Sequence, residues 1–74
     1  MQPAHMPDFV DAMPDALVVD RMADRLVREA TRPLWPTDLT DPVDVGLALA
    51  QAGFRMSQIE RLGITAAAHA RACL

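Results

Sequence analysis

The stretch Asp41-Pro42-Val43-Asp44-Val45-Gly46-Leu47-Ala48-Leu49-Ala50-Gln51-Ala52-Gly53-Phe54 is punctuated as a helix at both ends. Asp41 is a good N-cap, because its carboxylate can accept from backbone N–H groups two or three residues on, and Pro42 suits the first helical position, where no N–H is needed. On a helical wheel Val43, Val45, Gly46, Leu47, Leu49 and Ala50 cover most of the circumference, leaving Asp44 and Gln51 one polar strip. This pattern predicts a helix over 42–52 that is buried on nearly all sides, with the rest of the chain packed around it. Gly53 can take the left-handed conformation just past its end, and Phe54 then falls where a Schellman cap makes its apolar contact.

Upstream, residues 14–31 read as a second helix. Ala16, Val19, Met22, Ala23, Leu26, Val27 and Ala30 recur at 3.6-residue spacing on one face, and Asp20, Arg21, Asp24, Arg25 and Arg28 fall opposite. Leu17 and Val18 point away from that face, which suggests a second contact surface. Between the two helices, Pro33 forbids continuation and Pro36 biases Trp35 towards extended backbone. Trp35, the only tryptophan, is expected to lie across the core and close one end of it. The sharper reading makes it an exposed binding anchor beside Arg32, since Trp and Arg are enriched at the centres of binding patches. Residues 1–13 carry Pro3 and Pro7 without a sustained period and read as a flexible tail. Met6-Pro7-Asp8 recurs as Met13-Pro14-Asp15, too few copies for a repeat architecture. Phe9 is the tail's candidate apolar anchor.

Downstream, Ser57-Gln58-Ile59-Glu60 has the form of a capping box, Gly63 offers a stop, and Thr65 offers another N-cap. Two short helices over 57–62 and 65–73 are the preferred reading. A single helix through Gly63 at a cost of about 1 kcal/mol is the alternative. The fold class is therefore all-α, a small domain of three or four helices over residues 14–74.

Seventy-four residues make one domain at most, and a chain this short buries only about 60% of its unfolded surface. With a single cysteine it has no internal disulfide framework, so self-association or a bound partner gains weight. The composition is 51% hydrophobic with 4% aromatic, a globular profile that favours helix. A net charge of −3, with all seven cations arginine, argues against a broad phosphate-binding surface. Pro3, Pro7 and Asp8 interrupt any secretory signal, and no window approaches 18 apolar residues, so a cytoplasmic protein with no membrane partner is expected.

Candidate chemistry is sparse. His69 and Cys73 are four apart on one helical face, but a zinc site needs about four ligands and the other histidine, His5, lies in the tail. A Cys–His nucleophile here lacks an orienting third group. Asp38, Asp41 and Asp44 are loop and cap residues whose spacing fits no calcium loop. No metal, no cofactor and no enzymatic activity are expected.

Helix, Gly63-Ile64-Thr65, helix resembles a helix-turn-helix DNA-binding unit, although Ile59 and His69 stand where that family usually has a small and an aliphatic residue. The resemblance implies that Arg61, Thr65, His69 and Arg71 contact DNA from a reading helix over 65–73. Residues 53–74 carry three arginines against one glutamate, a local charge of +2. Ala52-Gly53-Phe54 between short helices is similar, over those three residues, to the loop of ubiquitin-associated-type three-helix domains, where a glycine–aromatic loop forms part of the binding surface. The leading functional expectation is a non-enzymatic binding module or adaptor, partnered by a larger protein or a second copy of itself. Its interface residues are expected to be Phe9, Leu17, Val18, Arg32 and Trp35. The alternative is a DNA-binding regulator.

Overall fold

The computed structural model describes residues 13–74. Phe9 and the expected tail lie outside them, apart from Met13, which packs half-buried against the core. The described chain forms three helices: α1 (Asp15–Ala30), α2 (Pro42–Gln51) and α3 (Met56–Ala72). The all-α expectation holds, in its three-helix form. Val18, Val19, Met22, Ala23 and Leu26 of α1 meet Val45, Ala48 and Leu49 of α2 and Ala66, Ala67 and Ala70 of α3, with Leu39 of the connector buried among them.

α1 starts where Pro14 fixes the backbone and its carbonyl accepts from Leu17 and Val18 N–H at 3.0 and 3.1 Å. Asp15 adds an acid to the first turn, where the dipole favours it. At the far end the Thr31 hydroxyl donates to Val27 O at 2.8 Å, and Pro33 stops further winding. The buried stripe is rotated from the expected one. Val18 is only 2% exposed, whereas Ala16 is exposed. Both fall near the edge of the face, and the larger side chain gains more by leaving water.

α2 is capped as its sequence predicts. Asp41 Oδ1 accepts from Val43 N–H at 3.0 Å. At the other end Gly53 has φ 100°, its N–H donates to Ala50 O, and Phe54 N–H donates to Leu49 O at 3.1 Å, the two bonds of a Schellman motif. The expectation of burial on nearly all sides fails. Val45, Ala48 and Leu49 face the core, while Val43, Leu47 and Ala50 face water. Among the described residues α1 and α3 pack against it, and they cover one side.

α3 is one helix, not two. Gly63 sits inside it, with Leu49 Cδ1 and Ile59 Cγ2 placed 3.8 and 3.6 Å from where a Cβ would stand. Buried Ala66, Ala67 and Ala70 follow it, and this small-residue face lets α3 lie close to α1 and α2. That packing holds the helix through its weak point, so the turn at 63–65 does not form. The α3 cap also falls earlier than expected. Arg55 N–H donates to the Gln58 side-chain Oε1 at 3.1 Å, and Ser57 is already helical.

The connector is fastened by carboxylates. Asp38 accepts from Thr40 N–H and hydroxyl at 2.9 and 2.7 Å, and Asp44 Oδ2 accepts from Asp38 N–H at 2.8 Å. Trp35 does not close the core. It is 85% exposed with φ 56°, a left-handed conformation costly for a side chain of this size. Leu39 is the buried residue of the connector instead. Helices brought together by alanines leave no volume for an indole.

Candidate protein interface

Exposed large apolar side chains occur on α1, the connector, α2 and α3, and those of α2 share one face. Val43 is 75% exposed and Leu47 57%, and the i, i+4 spacing puts them on one face with Ala50. This face separates two recesses. Towards α3 lies a groove of about 460 Å³, floored by Val45, Gly46, Gly63 and Ala67, walled by Leu39, Pro42, Ile59 and Ile64, and ended by Glu60 and Arg71. Towards the connector lies a smaller recess of about 190 Å³, where Leu47 stands beside Trp35, Arg32 and Glu29. Ile64, 77% exposed, projects at the edge of the first.

The groove exists because its floor is made of small residues. At Gly46 a Cβ would find only Ile59 Cγ2, at 3.9 Å. At one end the Arg71 guanidinium is held in place by donating from Nη1 to Leu39 O at 2.9 Å. Its remaining N–H donors stay available to an incoming acceptor. In the second recess the Arg32 guanidinium, bonded to Glu29 at 2.8 Å, holds that carboxyl below the usual range, with Arg25 contributing at 3.1 Å. The Thr40 hydroxyl and N–H do the same for Asp38.

The interface residues expected from sequence separate. Arg32 and Trp35 come together and join the α2 face through Leu47. Val18 is in the core. Leu17, 42% exposed, lies near the start of α1, about 20 Å along the helix from Arg32 at a rise of 1.5 Å per residue. It therefore belongs to no common patch with Trp35. The exposure of Val43, Leu47 and Ile64 was not expected from sequence, because their apolar character reads equally well as core. The signal that could have found it is that α2 is apolar all round, while among the described residues only α1 and α3 pack against it.

Of the residues expected to contact DNA, Thr65 and His69 are exposed on α3. Arg61 pairs with Asp15 of α1 at 2.8 Å and Arg71 bonds Leu39 O. His69 and Cys73 are exposed, and among the described residues no three His, Cys, Asp or Glu side chains are grouped to hold a metal ion. No described helix is long and apolar enough to cross a membrane. Comparison with protein-family models, curated proteins and solved structures finds no match for this chain.

Proposed function

We propose that this protein is a non-enzymatic binding module that acts through protein–protein contacts, using the outer face of α2 and the groove between α2 and α3. The observation that carries the reading is the groove between α2 and α3, with its apolar floor and with Ile64 exposed at its edge, next to an α2 face on which Val43 and Leu47 are also exposed. Scattered apolar residues on a surface need no explanation, but an apolar recess with charged ends is a usual form of a contact site. Trp35 and Arg32, at the opposite edge of α2, supply the residue types most often found at binding hot spots. Action in the cytoplasm is part of the proposal, and the single exposed thiol of Cys73 suits a reducing compartment.

Duplex DNA has less to support it as the ligand. One of the four residues expected to contact it, Arg61, is paired with Asp15, and the chain as a whole is acidic.

The reading is tested by immobilising the full chain and measuring retention of cell proteins and of the purified chain itself. Val43→Asp combined with Leu47→Asp should abolish retention of cell proteins, and Leu17→Asp should leave it unchanged. Retention of nothing by the wild type, or loss through Leu17→Asp alone, would contradict it.

A further inference from the structure

We infer that the occupant of the α2–α3 groove is the same groove of a second copy of this chain, with the two α3 helices antiparallel about a two-fold axis. This rests on the binding-module reading and names its partner.

Glu60, Ile64, Ala67 and Arg71 follow one another along α3 at spacings of four, three and four residues, and all four line the groove. Such spacing makes a straight seam that another helix can lie along. The seam is self-complementary when reversed. Its acid and its base are equidistant from its midpoint, and so are its one large and one small apolar residue. A two-fold axis through that midpoint sets Glu60 against the partner's Arg71 and Arg71 against the partner's Glu60. The same axis seats exposed Ile64 over the partner's Ala67, which lies buried at the groove floor and presents only a methyl group.

The opposite orientation is unfavourable. With the helices parallel, a two-fold axis brings Glu60 to Glu60 and Arg71 to Arg71, opposing like charges at both ends. The bond from Arg71 to Leu39 O fixes the guanidinium at the groove end before any partner arrives, so little side-chain freedom is lost on docking. A foreign ligand would need only one half of this pattern. With both halves on one strip, the surface meets the self-complementarity that an isologous contact requires.

Sedimentation equilibrium on the purified full chain tests the inference. The wild type should move from one chain to two as concentration rises towards roughly 1 mM. Ile64→Asp should weaken association roughly 100-fold, because the substitution places a carboxylate in an apolar contact twice per dimer. Glu60→Arg and Arg71→Glu should each weaken it about 10-fold, and an equimolar mixture of the two variants should associate about as well as the wild type, since every end pair is then opposite in sign. If Arg71→Glu loses its helical circular dichroism, Glu60→Arg and Ile64→Asp, both at exposed positions, decide the outcome alone. A chain that stays monomeric throughout, association indifferent to these substitutions, or a mixture of two folded variants no stronger than either variant would overturn the inference. If the monomeric chain still retains a foreign protein through Val43 and Leu47, the antiparallel dimer falls and the binding-module reading stands.

Discussion

α1 and α2 both pack against α3 and both are rich in aliphatic residues, but they place them differently. On α1 the apolar residues form a stripe with charge opposite, and the large ones on that stripe, Val18, Val19, Met22 and Leu26, are buried. On α2 they run round the helix, and only Val45, Ala48 and Leu49 are covered. An amphipathic stripe states its own orientation, because the polar side must face water. A helix that is apolar all round states only that it wants cover. Among the described residues, α1 and α3 cover one side of it and leave the other exposed.

Truncation should separate the two regions most sharply. Leu26→Ala, at a fully buried site, should cost about 2–5 kcal/mol, while Leu47→Ala should stay within about 0.5 kcal/mol of the wild type, both measured by denaturant unfolding. Similar losses at the two positions would mean that the α2 face is already covered within the chain.

Gly53, in the α2–α3 turn, and Gly63, inside α3, should respond in opposite directions. Gly53→Ala forces a side chain into φ 100° and should cost about 1 kcal/mol or more. Gly63→Ala adds a Cβ at ordinary contact distance from Ile59 and Leu49 inside a helix, and should raise stability by about 0.5–1 kcal/mol. Thermal melts of both variants check the pair, and a destabilised Gly63→Ala would show that the α2–α3 approach is tighter than the geometry indicates.

The smallest effect concerns the fastening between α1 and α2. Glu29 and Asp38 both have carboxyl groups held below their usual range, by Arg32 with Arg25 and by Thr40. A folded state that binds its protons less readily than the unfolded chain gains stability as pH rises. The contribution is complete above the ordinary carboxylate range and is lost as pH falls through the lower, folded-state values. Asp38 is exposed and the half-buried Glu29 pairs with exposed arginines, so the loss should be slight. Urea unfolding across acidic pH should show a shallower decline for Glu29→Gln and Thr40→Val than for the wild type.

Much of this fold is legible in the residues. Asp41, Pro42, Gly53 and Phe54 act within a few positions of one another, so local chemistry determines the α2 caps. The continuity of α3 was not legible, because the feature that holds Gly63 helical is Leu49, a contact between distant parts of the chain. Trp35 misled for a related reason: burying it requires space, and the alanines of α3 remove that space. The proposed contact surface is marked only in part: Arg32 and Trp35 stand out by residue type, while Val43, Leu47 and Ile64 look like core until the packing shows them exposed among the described residues.

The direct measurement is a dilution series of ¹H–¹⁵N spectra on the full chain, from roughly millimolar to micromolar concentration. Concentration-dependent amide shifts should gather at Val43, Gly46, Glu60, Ile64 and Arg71 and leave the outer face of α1 unchanged. Shifts centred on Leu17 and Arg21, or spectra that do not change with concentration, would contradict the assignment of the α2–α3 groove as the place where two copies meet.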